Sequence, residues 1–154
     1  SVTKVSDSYQ GFAAKITTIR QINNQTSGTI PDTTGFMILG TIDGSGNILP
    51  TPYSYPTRPN QLRFYSKYNP SGVDTAGIGI LLYKWNTVMN KRDTIGEGYY
   101  KVGENQTSYE LRTININYNV SMIVPDSMLI FVIASLKFLA PKSVKSRITN
   151  IWST

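Results

Sequence analysis

Gln61-Leu62-Arg63-Phe64-Tyr65-Ser66-Lys67-Tyr68 alternates without a break. Leu62, Phe64, Ser66 and Tyr68 take one parity, and Arg63, Tyr65 and Lys67 take the other. Successive side chains of a β-strand point to opposite faces, so this spacing predicts a half-buried strand over 61–68 with Tyr65 turned outward. Asn69-Pro70-Ser71-Gly72 ends it, because proline restricts the residue before it and glycine accepts a positive φ.

Working outward, residues 76–85 read as a richer strand, Ile78-Gly79-Ile80-Leu81-Leu82-Tyr83-Lys84-Trp85 at its centre. Strands are also expected over 11–20, from about 36 to 42, 94–102 and 109–120, and at 148–152 as a closing strand. In 109–120, Leu111 shares a parity with Thr113 and Asn115, whereas Ile114, Ile116, Tyr118 and Val120 take the other. A bulge near Arg112-Thr113 would reconcile the two registers. Met128–Ser135 is apolar on both parities, as expected of a central strand covered on both faces. Thr41–Pro59 reads as one long irregular segment with prolines at 50, 52, 56 and 59, and loops of that length are usually functional or mobile. No window carries a helical stripe. The fold class is therefore all-β, an antiparallel, jelly-roll-like β-sandwich of about eight strands in a single domain over 1–154.

The 154 residues contain no histidine and no cysteine. That excludes disulfides, zinc–thiolate sites, thiol nucleophiles and the Ser-His-Asp triad, and it removes the commonest general base. The net charge of +6 is uneven: residues 1–136 carry +2, and 137–154 carry Lys137, Lys142, Lys145 and Arg147 with no acid. No Lys/Arg cluster is interleaved with aromatics, so nucleic acid is not an expected partner. Met128–Ala134 is the longest apolar stretch and is too short to span a bilayer.

Several spaced elements resemble a known family. They are Gly11-Phe12-Ala13-Ala14-Lys15-Ile16, Pro52-Tyr53 with Arg58-Pro59, Tyr65-Ser66-Lys67-Tyr68-Asn69-Pro70, and Asp74-Thr75-Ala76 leading into Ile78–Trp85. A later one is Tyr118 followed by Pro125-Asp126-Ser127-Met128-Leu129-Ile130. In this order they resemble the putative carbohydrate-metabolism domain (PCMD) family of secreted Bacteroidetes proteins, over roughly residues 9–135. The family's acidic closing strand is replaced here by Lys142–Asn150, so any role of those acids is not carried over. The resemblance implies a fold similar to carbohydrate-binding β-sandwich modules, a secreted or cell-surface location and a polysaccharide or glycoconjugate partner. It also implies that the chain is a fragment of a larger secreted protein.

Sugar binding needs flat aromatic faces and planar hydrogen-bonding groups. The candidate ligand-binding residues are Tyr53, Tyr55, Arg58, Tyr65, Tyr83 and Trp85, with Tyr83 and Trp85 on one strand face and Arg58 offering a fork of donors. The competing structural reading places Tyr83 and Trp85 in the core, packs Tyr53 and Tyr55 over the sheet, and uses Arg58 to hold backbone carbonyls. Asp93, Glu97, Glu104 and Glu110 have no spacing that enforces a carboxylate pair, so no catalytic residue is assigned. No cofactor and no metal ligand set is expected. Asp43, in the turn Asp43-Gly44-Ser45-Gly46-Asn47, and Asp74 are the residues that a structural calcium ion would use. The sequence thus predicts a non-catalytic glycan-binding domain that works by aromatic stacking. Its alternatives are a structural or adhesion accessory domain and, third, a glycoside hydrolase.

Overall fold

The computed structural model describes residues 1–19, 34–54, 56–70 and 72–136. Among them are ten strands and no helix: β1 (Val2–Val5), β2 (Ala13–Ile16), β3 (Phe36–Ile42), β4 (Ile48–Pro52), β5 (Gln61–Tyr68), β6 (Ala76–Asn86), β7 (Lys91–Val102), β8 (Gln106–Asn115), β9 (Asn117–Tyr118) and β10 (Ser127–Ile133). All pairings are antiparallel. Six strands form one sheet in the order β3-β4-β10-β6-β7-β9, while β5 pairs β8 and β1 pairs β2 in two-stranded sheets. No described helix is long and apolar enough to cross a membrane.

The strand expected over 61–68 is β5, and its burial alternates along its whole length. Its inward residues Leu62 and Phe64 pack with Ile114 and Ile116 against Ile78, Ile80, Leu82 and Ile95 of the large sheet. This is the core between the two sheets, and Leu82 within it is fully buried. The opposite face of the large sheet carries a second cluster, Leu81, Leu129, Phe131 and Ile133, against which Ile38 and Tyr83 pack. Both parities of β10 are thus engaged, as its unbroken apolar sequence predicts.

Three expectations change. Thr41–Pro59 is not all irregular, because β4 lies inside it: Gly40↔Pro50 and Ile42↔Ile48 pair it with β3, and Ser127↔Pro52 pairs it with β10. Prolines in a run argue against a strand by sequence, but they are tolerated where the missing N–H is not needed by the ladder. The bulge expected at Arg112-Thr113 is absent. The β5–β8 register is continuous from Gln61↔Asn115 to Ser66↔Glu110, and it shifts only between Ser66 and Tyr68, which meets Gln106. Leu111 simply faces outward opposite Tyr65. The parity after Ile114 is served by a crossing instead, in which the chain leaves β8 and pairs as β9 with β7 of the other sheet, Gly96↔Tyr118. Finally, β1 is an element that the sequence reading does not contain. The expected closing strand at 148–152 lies outside the described residues.

Candidate functional site

The sequence candidates do not gather at one place. Tyr83 and Trp85 share the face of β6 turned away from β5 and β8. Tyr65 lies on the outer face of β5, on the other side of the sandwich. Tyr53 and Arg58 sit in the segment between β4 and β5, and Tyr55 lies outside the described residues.

The β6–β7 hairpin owes its geometry to two local features. At the tip, the Asn86 Oδ1 accepts the backbone N–H groups of Val88 and Met89 at 3.1 and 3.0 Å. Asn90 takes φ 50° to close the turn, a left-handed conformation that asparagine tolerates better than most residues. Further in, Leu82 pairs with Gly96 but Tyr83 pairs with Thr94, so β7 holds one extra residue, Ile95. Ile95 is buried in the inter-sheet core. The bulge shifts everything toward the tip by one position, and Arg92 rather than Asp93 stands opposite Trp85.

The result is a patch at one end of the large sheet. Trp85 is 41% exposed, and the Arg92 guanidinium lies 5.4 Å from its ring centroid, within cation–π range. Tyr83 is half-buried beside it; burial pushes its hydroxyl pKa up, and the nearby Arg92 works in the opposite sense. Sequence reasoning missed Arg92, because its facing depends on the bulge.

Asp126 ties this patch together. Its Oδ2 accepts the Trp85 N–H at 2.8 Å, and its Oδ1 accepts the Ser127 hydroxyl at 2.9 Å. Its backbone N–H donates to the Tyr83 carbonyl at 3.0 Å, and its carbonyl accepts the Tyr53 N–H at 2.8 Å. Desolvation raises the pKa of the carboxyl, but the Trp85 and Ser127 hydrogen bonds with the Lys84 and Arg92 charges outweigh it and hold the group below its ordinary value.

The other candidates have structural partners. Arg58 donates from Nη2 to the Val120 carbonyl at 2.9 Å and stacks 3.9 Å from the Tyr118 ring centroid. The Tyr118 hydroxyl donates to the Pro59 carbonyl at 2.7 Å. On the far side, Tyr65 stacks on Tyr9 with ring centroids 3.7 Å apart and planes 9° from parallel. Lys67 pairs with Asp7 at 2.7 Å, and the Tyr109 hydroxyl donates to the Asp7 carbonyl. These contacts dock the β1–β2 connection onto the outer face of β5 and β8.

Of the two candidate calcium residues, Asp43 accepts the backbone N–H groups of Ser45 and Asn47 and the Asn47 side-chain amide. Those bonds, the Asn47 amide first, hold its carboxyl below its ordinary pKa. Asp74 is buried, with Oδ1 accepting the Thr75 N–H at 2.7 Å. Among the described residues no group of three or more acids gathers in a metal-ligating arrangement.

No family model matches the chain, and no curated protein matches its sequence. Two solved structures share its fold. One is named a putative glycoside hydrolase from Bacteroides thetaiotaomicron, with TM-score 0.66 and 12% identity over 88% of this chain and 50% of that one. The other is named a putative glycoside hydrolase from Bacteroides vulgatus, with TM-score 0.67 and 15% identity over 87% of this chain and 68% of that one. The chain therefore spans about half the length of the first. At these identities the likeness carries the fold: an all-β chain of antiparallel sheets packed face to face.

Proposed function

We propose that the chain is a non-catalytic glycan-binding β-sandwich domain of a larger secreted or cell-surface protein. The observation that carries this reading is the pairing of exposed Trp85 with Tyr83 on one sheet face, with Arg92 beside both. An indole face offers C–H stacking to a sugar ring, and the tyrosine hydroxyl and guanidinium offer directional bonds to hydroxyls. The names of the two structural neighbours and the sequence resemblance both support a carbohydrate-related role.

Those names also raise the hydrolase reading. Glycoside hydrolysis uses two carboxyl groups, one of them kept protonated by a raised pKa. Asp126, the carboxylate tied to the patch, is an acceptor for Trp85 and Ser127 and is held ionised. Its bonds suit a buttress rather than a proton donor. A single shallow patch binds weakly, and repetition within a parent protein would raise avidity.

Affinity electrophoresis through gels containing soluble polysaccharides tests the proposal. Retardation by at least one of them, lost in Trp85→Ala, is expected. Unchanged mobility in every gel would instead favour a structural accessory domain, and release of reducing sugar that Glu97→Gln abolishes would favour the hydrolase.

A further inference from the structure

The charges around the patch are not equivalent. Asp93 accepts the Asn86 amide at 2.7 Å and has Lys91 at 3.6 Å, while Asp126 accepts Trp85 N–H and the Ser127 hydroxyl and has Lys84 at 3.7 Å. Lys84 and Lys91 thus each face a carboxylate that is already occupied. Arg92 differs: among the described residues it donates to no acceptor and forms no ion pair, its guanidinium lies over the Trp85 ring, and its charge reaches Tyr83 and Asp126 without a hydrogen bond. Glu97, the other carboxylate of this face, stands opposite Leu81, beyond the Tyr83–Thr94 row and away from Arg92. The face therefore runs from an uncommitted cation at the hairpin end, through two aromatics, to a carboxylate.

We infer that the Trp85–Tyr83 patch selects acidic sugars, with the ligand's anionic group on Arg92 and its ring on Trp85, an assignment that rests on the glycan reading above. A guanidinium presents parallel N–H donors that match the two oxygens of a carboxylate or sulfate. Its approach to the indole limits how far it can swing, so less freedom is lost on binding. Glu97 repels a second anionic group and accepts hydroxyl donors, which orients the chain of sugars along β6. The bulge at Ile95 is the device that makes this selection, because an unbulged register would set Asp93 opposite Trp85.

The test is affinity electrophoresis of wild type, Arg92→Gln, Arg92→Lys and Lys15→Gln in gels of polygalacturonate, dextran sulfate and neutral dextran or xylan. Lys15 is an exposed residue of β2, so its variant removes one charge away from the patch. Retardation by polygalacturonate is expected, weakened about tenfold by Arg92→Gln, partly retained by Arg92→Lys and untouched by Lys15→Gln. Dextran sulfate retarding more strongly than polygalacturonate, with the same Arg92 dependence, identifies sulfate as the preferred anion within the same inference. Retardation by neutral polymers alone, or equal effects of Arg92→Gln and Lys15→Gln, overturns the acidic selection and leaves glycan binding standing. No retardation in any gel overturns both.

Discussion

The carboxylate of Asp126 accepts the backbone N–H of Trp85 at 2.8 Å, so the residue that leads into β10 fixes the aromatic end of the β6–β7 hairpin. A hydrogen bond to an ionised group contributes about 1.5–3 kcal/mol when well buried. This side chain is 37% exposed, so screening lowers the expectation for Asp126→Ala to about 1–2 kcal/mol. The folded carboxyl titrates below its ordinary value of 3.8, so its stabilisation is present above that pH and fades as pH falls through the folded pKa. Urea midpoints measured from pH 7 down to pH 2 should therefore drop less steeply at the acid end in Asp126→Asn than in wild type. Parallel curves would show that Asp126 does not carry this pH dependence.

Close approach of the two sheets depends on Gly98. A Cβ built there would lie 2.5 Å from Ile114 Cγ2 and 2.7 Å from the Asn115 carbonyl oxygen. The isoleucine could rotate, but the carbonyl belongs to the backbone where β8 begins its crossing. Gly98→Ala should destabilise the fold by about 1–3 kcal/mol through overpacking. Thermal unfolding followed by circular dichroism checks this, and an unchanged midpoint would mean that the sheets can part at no cost.

How far the chain could be read before its structure depends on the kind of signal. β5, β6 and β10 were legible because each buries one face or both, and burial writes itself into the sequence as period 2 or as an unbroken apolar run. β4 was not legible, since Pro50 and Pro52 are turn residues by type and their strand depends on neighbours far along the chain. The shared face of Tyr83 and Trp85 followed from parity within one strand. Arg92 escaped because cross-strand register was needed, and the extra residue Ile95 leaves no mark in local pattern. Arg58 illustrates the converse: its sequence neighbourhood suggested either a ligand fork or a loop anchor, and only the Val120 carbonyl and the Tyr118 ring give it a definite partner.

That partner makes Arg58 separable from the patch. Its guanidinium joins the segment before β5 to β9 through a cation–π contact with Tyr118 and to the residues after β9 through one hydrogen bond to Val120. Arg58→Ala should cost about 1–2 kcal/mol of stability, read from urea unfolding, and leave polysaccharide retardation unchanged below the transition. Loss of retardation with stability intact would move Arg58 from anchor to ligand contact.

Trp85 itself offers a direct readout. The chain has two tryptophans, so Trp152→Phe leaves Trp85 as the only indole. At 41% exposure, with a cation over its ring, its emission should be red-shifted relative to a buried indole and readily quenched by acrylamide. A sugar stacked on the exposed face shields that ring from the quencher. The Stern–Volmer slope should therefore fall on adding the retarding polysaccharide, and Arg92→Gln should raise the polysaccharide concentration needed by about tenfold if the anion is held there, a change of about 1.4 kcal/mol. A blue-shifted emission that resists acrylamide without any ligand would place Trp85 in a packed environment, and the accessory-domain reading would then account for the chain better than glycan binding does.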